Sequence, residues 1–501
     1  MPGISQTVRE KPKDTRGALK RILSYLGSYK LLIAFIMLLC VLSNVLALLG
    51  PSMAGSAINE ASAGVGKVNF DKVKHFALLM LITYISSSVL TIAINILMTA
   101  VSRYVSRKMR NDVFDKLMKL PVGYFDRNAT GDIISRVSYD IDVVTTCIAT
   151  DLVSIMTSVI TVLGSFGMMV YISPSLSMVE LIMIPLAAIY TVHMRKVTQP
   201  IFRRRSAAYG AMNGFVEEMF TGQKTILAYS YENDVARQFV SKNTDAMDGF
   251  HDSEYESCAM GPTVNLFNNI GLGLVGMCGS LLYMLGKITL GSVSSFVLYS
   301  RKFSGPINEV ANVVSEIYSA LSASERVFKL LDEPEEVSDR EGALELDNVE
   351  GRVSLSHVKF GYDEKRTIIH DLNLDVEGGS LVAIVGPTGA GKTTIINLLM
   401  RFYDVDSGSV MVDGKDIRDY TRESLRKAYA MVLQDTWVFE GTIYENIAYG
   451  KENATKEEVI NAAKSAHIHS FIMQLPNGYD TVISEDGGNI SKGQKQLLTI
   501  A

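Results

Sequence analysis

Apolar and charged positions alternate in long blocks along the 501 residues. Asp, Glu, Lys and Arg are missing from 31–59, from 75–102 and from 257–286. A hydrocarbon core of about 30 Å needs about 20 helical residues, so each stretch is long enough to cross a bilayer. Two further apolar segments flank Ser173-Pro174-Ser175, and a sixth starts near Leu290 and carries Arg301 and Lys302 partway along. The pattern predicts an all-α membrane domain over 31–330, with spans at about 31–50, 76–100, 148–172, 176–194, 262–286 and 290–312. The preceding segment, 1–30, contains Arg16–Leu23, which suits an amphipathic helix at the membrane surface.

Basic residues orient these spans. The first 30 residues hold seven Lys/Arg, and the connections 103–142 and 195–256 hold eight each. The alternate connections hold three (Lys67, Lys72, Lys74), none (Ser173–Ser175) and one (Lys287). Both ends of the domain are therefore expected in the cytoplasm of a multi-pass cell-membrane protein. The start lacks the short apolar core of a cleaved signal peptide, so span 31–50 is expected to act as an uncleaved insertion signal. The two basic connections are far longer than turns and free of long Gly/Pro runs. Membrane helices that continue into the cytoplasm and reverse through a short helix account for them most economically.

Composition sharpens the division. Hydrophobic residues are 48% and charged residues 20%, ordinary soluble values, yet mean hydropathy is +0.18. Residues 1–330 carry 31 Lys/Arg against 24 Asp/Glu, a net of +7; residues 331–501 carry 17 against 29, a net of −12. The apolar content excludes a disordered chain, and four Cys (Cys40, Cys147, Cys258, Cys278) exclude a disulfide scaffold. These four lack metal-ligand spacing and are expected as packed, reduced thiols. No nucleic-acid partner is expected.

A charged linker, 331–350, leads into a different pattern. Strand-like runs at Arg352–Leu355 and Ser380–Val385 precede Gly386-Pro387-Thr388-Gly389-Ala390-Gly391-Lys392-Thr393-Thr394, and an apolar helix follows from Ile395. This is a phosphate-binding loop between a strand and a helix, the mark of an α/β P-loop cassette over 351–501. Its glycines let backbone N–H groups wrap phosphates, Lys392 would hold the terminal phosphates, and the Thr393 hydroxyl would ligate Mg²⁺. Tyr362 could stack on a base or be a half-buried strand aromatic. Further on stand Val432-Leu433-Gln434-Asp435, Val438–Ile443, Glu445-Asn446-Ile447 and Asn489-Ile490-Ser491-Lys492-Gly493-Gln494. The last opens an apparent helix, a second anion-ready N-terminus roughly 100 residues after the first that need not serve the same nucleotide.

Tyr362, the loop 386–394, Gln434 and Ile490–Gln494, in that order, resemble the nucleotide-binding domain of an ATP-binding cassette (ABC) transporter. A six-span domain placed before the cassette resembles the exporter half-transporters. Leu120–Asp126 with Gly131-Asp132-Ile133 and Arg136 resembles the family's first long inner loop, and Gly210–Glu218 with Gly222 resembles the second. The similarity runs from about Arg16 to the end. It implies that two cassettes sandwich two ATP molecules. Tyr362 would stack on adenine, and Gln434 would reach Mg²⁺ and the attacking water. Ser491, Lys492, Gly493 and Gln494 would complete the ATP site of a second half-transporter, identical or not. The tips near Tyr124–Arg136 and Gly222–Tyr229 would couple the cassettes to the spans, alternating inward and outward access.

Two departures stand out. The signature reads Ile-Ser-Lys-Gly-Gln where the family commonly has Leu-Ser-Gly-Gly-Gln; Ser491, Gly493 and Gln494 remain. The acidic strand, catalytic Glu and switch His that follow in the family are not in the sequence, so they are expected beyond Ala501. The 501 residues are then expected to be a C-terminally truncated fragment that binds ATP without efficient hydrolysis. His467 and His469 precede the signature and are expected on helix surfaces. The expected activity of the parent is ATP-driven export of amphipathic small molecules or lipids. A dedicated peptide or lipid exporter and an ATP-gated channel or regulator are the alternatives. Within the spans, Gly271, Gly273, Gly276 and Gly279 are expected at a close helix contact. Glu180 is expected near an outer membrane interface without a substrate role, and Arg301 and Lys302 are expected to face a central cavity or snorkel.

Overall fold

The computed structural model describes residues 14–64, 66–363, 366–432, 436–484 and 490–501. They form two compact units: residues up to Leu120 with Phe125–Glu335, and Pro121–Tyr124 with Glu336–Ala501.

The first unit is helical: α1 (Thr15–Gly27), α2 (Lys30–Ala61), α3 (Phe70–Leu117) and the second half of the short α4 (Val122–Arg127), whose residues up to Tyr124 count with the second unit. A continuous run, Thr130–Ile172, follows, in which α5 (Thr130–Ser135), α6 (Ile141–Thr146) and α7 (Leu152–Ile172) are joined by single π turns. Then come α8 (Pro174–Thr221), α9 (Gln223–Ala228), α10 (Glu232–Met284) and α11 (Leu290–Leu331). Helices α3 and α8 have 48 residues each, α10 has 53 and α11 has 42. At about 1.5 Å per residue these are roughly 60–80 Å long, at least twice a hydrocarbon core. The long basic connections are thus helix extensions that reverse through six-residue helices, α4 and α9. Four helical stretches, Lys30–Ala61, Phe70–Leu117, Thr130–Ile172 and Asn265–Met284, are long and apolar enough to cross a membrane. Pro174–Met183 is a shorter apolar stretch, and α11 does not reach that apolarity among the described residues.

Polar contacts between helices explain why α11 is less apolar. Pro51 lies inside α2 and has no N–H to offer the Ala47 carbonyl one turn earlier. The Lys302 ammonium on α11 donates to that carbonyl at 3.1 Å and lies 5.9 Å from the centre of the Tyr84 ring. Next to it, both toward the start of α11, the Tyr299 hydroxyl donates to Leu48 O at 2.6 Å and Ser295 to Pro51 O at 2.8 Å. A Cβ on Gly55 or Gly291 would collide with the facing helix, so these two glycines set the close approach. Of the expected glycine stripe only Gly279 is tight, 2.9 Å from Val293, whereas a Cβ on Gly273 or Gly276 would meet nothing. Lys302 is thereby held at the proline break, partly buried, while Arg301 is exposed.

Glu180 is a second polar residue held between helices. It is 4% exposed inside the bundle, and the Ser300 hydroxyl of α11 donates to its Oε1. Farther along, Arg326 of α11 makes a bidentate pair with buried Asp140 at 2.9 and 2.6 Å. Of the cysteines only Cys40 is fully buried, and Cys258 is exposed.

In the second unit, β1 (Val353–Phe360), β2 (Ile369–Val376), β3 (Ser407–Val412) and β4 (Lys415–Asp416) form an antiparallel sheet in the order β2-β1-β3-β4. Leu355, Val358, Phe360, Val410 and Val412 turn to a core shared with Leu398 of α12 (Lys392–Leu399) and Leu425 of α13 (Arg422–Lys427). A second core joins β5 (Gly441–Thr442), α14 (Ile443–Ala448), α15 (Lys456–Ser465), α16 (His469–Ile472), β6 (Val482–Ile483) and α17 (Lys492–Ile500) through Ile443, Val459, Ile472, Ile483 and Leu498. The run Ser380–Val385, expected as a strand, forms none: no described strand pairs with it, and Leu381 and Val385 lie exposed. An apolar run is a strand only where a neighbour takes up its N–H and C=O groups.

Candidate nucleotide-binding site

The loop 386–391 leads straight into α12. Gly389 and Gly391 take left-handed φ of 84° and 89°, which any side chain would strain. A Cβ on Gly391 would also lie 3.2 Å from Ile368. Between them the Ala390 N–H donates to Pro387 O at 3.2 Å, closing the turn. The helix opens from Gly391, whose carbonyl accepts from Ile395 N at 3.1 Å. The N–H groups of its first turn therefore have no carbonyl four residues back and point out of the helix start, where the macrodipole is positive. Lys392 Nζ donates to Gly386 O at 2.8 Å and Pro387 O at 2.9 Å, so the ammonium is held over the loop. Thr393 is exposed beside it, and Thr394 is buried.

Tyr362 follows β1 and reaches the same helix. Its hydroxyl accepts from Asn397 Nδ2 at 3.0 Å and lies 3.3 Å from Thr394 Oγ1. Its ring is edge-on to Phe360 and Tyr403, with centroids 5.1 and 5.0 Å away, and the residue remains 39% exposed. Tyr362 is thereby brought to the phosphate loop by hydrogen bonds to α12 that sequence spacing alone did not reveal. Gln434, expected at Mg²⁺, lies outside the described residues.

Ser491 is the N-cap of α17. Its side chain accepts from Gln494 N at 3.3 Å, and Gln494 Oε1 accepts from Ser491 N at 2.8 Å. This reciprocal capping box uses two residues of the expected signature to build the helix start. A Cβ on Gly493 would meet nothing within 4 Å, so no contact within this chain requires glycine there. Helices α12 and α17 belong to different hydrophobic cores. His469, expected on a surface, is half-buried and lies 2.8 Å from the Tyr479 hydroxyl; His467 is exposed.

Long apolar helices followed by a phosphate loop define a membrane protein with an attached nucleotide-binding cassette. Comparison with known proteins makes this specific. Residues 33–307 match the ABC transporter transmembrane region and residues 369–501 match the ABC transporter family. The chain is 39% identical to an uncharacterized ABC transporter ATP-binding protein of Bacillus subtilis, over 98% of this chain and 81% of that protein. It is 39% identical to a fatty acid ABC transporter ATP-binding/permease protein of Mycobacterium bovis, over 87% of this chain and 68% of the relative. It is 31% identical to a putative multidrug export ATP-binding/permease protein of B. subtilis, over 97% and 84%. The chain belongs to the ABC transporter family, with the membrane-region-then-cassette order of a half-transporter. It is a multi-pass membrane protein with an ATP-binding domain.

Proposed function

We propose that this chain is one half of an ATP-driven exporter that moves amphipathic small molecules or lipids out of the cytoplasm or inner leaflet. The observation that carries the reading is the phosphate loop itself: left-handed Gly389 and Gly391, with Lys392 drawn over the helix start. Relatives named for multidrug export and for fatty acid transport support the substrate class. In this reading residues 386–394 bind the phosphates of ATP and Tyr362 stacks on the adenine. Thr393 offers a hydroxyl beside the phosphates, a hard oxygen donor suited to Mg²⁺, and Gln434 contributes to the same ion. Bound there, the ion would neutralise charge that develops on the transferred phosphoryl group. Ser491, Lys492, Gly493 and Gln494 close over the ATP of a second half-transporter, identical or not. The open space at Gly493 supports such an approach.

ATP binding would draw the cassettes together and hydrolysis would release them, with the reversals at α4 and α9 passing the change to the spans. The test is ATP hydrolysis by the full-length protein in proteoliposomes. Stimulation by amphiphiles such as lipophilic dyes and long-chain fatty acids is expected. ATP-gated ion currents without any stimulation would overturn the exporter reading in favour of a channel.

A further inference from the structure

Helix α3 carries a basic pocket where it leaves the apolar part of the chain. Its charge-free stretch ends at Ser102, and Arg103, Arg107 and Arg110 follow about one turn apart on one face. With Thr99, Ser102 and Ser106 they line a cavity of about 420 Å³ against α6. The Ser102 hydroxyl donates to Thr145 O at 2.8 Å, which ties this wall to α6. Arg110 pairs with Asp142 of α6 at 2.5 Å. Among the described residues, the side chains of Arg103 and Arg107 make no ion pair and no hydrogen bond, and those of Ser106 and Asn111 beside them make no hydrogen bond. The pocket thus keeps two guanidinium charges that no carboxylate within 4 Å answers, next to a hydroxyl and an amide with donors to spare.

The depth of the pocket says which anion it meets. Tyr29 precedes the charge-free stretch 31–59 and Tyr104 follows 75–102, and their rings stack with centroids 5.6 Å apart. The start of one apolar stretch and the end of another therefore meet at one level, marked by aromatic rings of the kind that gather at a membrane interface. Ile96 and Tyr104 are 64% and 55% exposed, so α3 presents apolar surface up to this level. The basic excess of 103–142 puts this end of α3 at the cytoplasmic leaflet. Each guanidinium offers five N–H donors in a planar fork that suits phosphate, and Arg103 and Arg107 lie about 6 Å apart along the helix. A basic pocket between helices at the cytoplasmic interface is the setting that takes an anionic lipid headgroup. We infer that Arg103 and Arg107, with Ser106, form a headgroup site for an anionic phospholipid of the inner leaflet. The phosphate is met at its ordinary depth in the bilayer and is not drawn among the spans, so this lipid is a resident ligand and not cargo. The inference needs only that α3 crosses the membrane, and it does not depend on the exporter reading.

The test is titration of the full chain in dodecyl maltoside with phosphatidylglycerol carrying a fluorescent tail. Phosphatidylcholine with the same tail is the control, since it offers a phosphate without net charge. Arg103→Gln/Arg107→Gln is expected to weaken phosphatidylglycerol at least about tenfold and to leave phosphatidylcholine within about twofold. Lys119→Gln/Lys224→Gln removes the same charge from two exposed positions of the basic connections and is expected to stay within about twofold of wild type. An unchanged melting temperature shows that each variant is folded. Phosphatidylglycerol affinity within about twofold of wild type in the folded arginine variant overturns the inference. An equal loss in the lysine variant does the same, because net charge alone would then account for binding. So does a wild-type chain that binds phosphatidylcholine as tightly as phosphatidylglycerol. Millimolar inorganic phosphate or glycerol phosphate is expected not to displace the lipid; displacement would assign the pocket to a free phosphate and overturn the lipid as its source. Dissociation of a dimer by Arg103→Gln/Arg107→Gln, with lipid affinity unchanged, would make the arginines an interface with a second copy and also overturn it.

Discussion

Two side chains in the cassette show how differently a single substitution acts at an exposed site and at a buried one. Lys392 spans its own loop with bonds to Gly386 O and Pro387 O, and nothing in the hydrophobic core depends on it. Lys392→Ala is expected to leave thermal unfolding unchanged but weaken a fluorescent ATP analogue at least about a hundredfold. Unaltered affinity would refute the phosphate-loop assignment. Asp339 has the opposite profile. It accepts from Arg422 at 2.9 Å and lies 3.6 Å from Arg401, two guanidinium groups 8% and 4% exposed. Asp339→Ala strips a carboxylate from both and is expected to cost roughly 2–4 kcal/mol of stability, below the full cost of a wholly buried pair because Asp339 is partly exposed. Melting temperature and ATP affinity together separate the two: Lys392→Ala moves only binding, and Asp339→Ala lowers melting first. Lys392 was legible in the sequence because its role is local, six residues from the loop start. The pairing of Asp339 with Arg422 was not, because charged residues 83 apart meet only once the core has folded.

At the scale of elements, the proline in α2 makes a coupled prediction. Lys302→Met leaves the Ala47 carbonyl without a donor and is expected to cost about 1–3 kcal/mol. Pro51→Ala restores an N–H one turn after Ala47, so the double variant is expected to recover at least about 1 kcal/mol relative to additive behaviour. Additive melting shifts in detergent would disprove the repair. Helix starts in the cassette behave more simply. Thr455 and Glu458 form a capping box on α15. The Lys451 ammonium, then the Thr455 N–H and hydroxyl, hold the Glu458 carboxyl at about 2, well below the ordinary value for Glu. A depressed carboxylate stabilises the folded state above its unfolded pKa of about 4.3 and loses that contribution as pH falls toward 2. Amide protection over 456–465, corrected for intrinsic exchange, is therefore expected to decline below about pH 5. In Glu458→Gln it should be lower at neutral pH and nearly flat. Such boxes are legible in sequence, since Thr-x-x-Glu and Ser491-Lys492-Gly493-Gln494 carry their partners three residues away. The tight glycines were not: Gly55 and Gly291 lack the clustering of 271–279, and only the approach of α2 to α11 selects them.

For the whole molecule, the question is how many times the chain crosses the bilayer. Apolarity singles out four helical stretches, whereas the alternation of three segments rich in Lys/Arg with three that hold three, none and one predicts six crossings. The two weaker helices are weak for a physical reason. Helix α8 turns Ser173, Ser177 and Glu180 inward, and α11 spends Ser295, Tyr299 and Lys302 on the carbonyls of α2. Polarity that is satisfied inside the bundle costs little in lipid, but composition counts it in full. With all four native cysteines replaced, single cysteines at Lys67, Ser175 and Lys287 should react with an impermeant maleimide added outside intact cells. Cysteines at Lys108, Lys224 and Lys359 should react only after the membrane is opened. Protection of Lys287→Cys with labelling of Lys224→Cys would invert or shorten the bundle, separating the six-crossing arrangement from any four-span alternative. It would also place the cassette on the side away from cytoplasmic ATP, which no ATP-driven half-transporter could use.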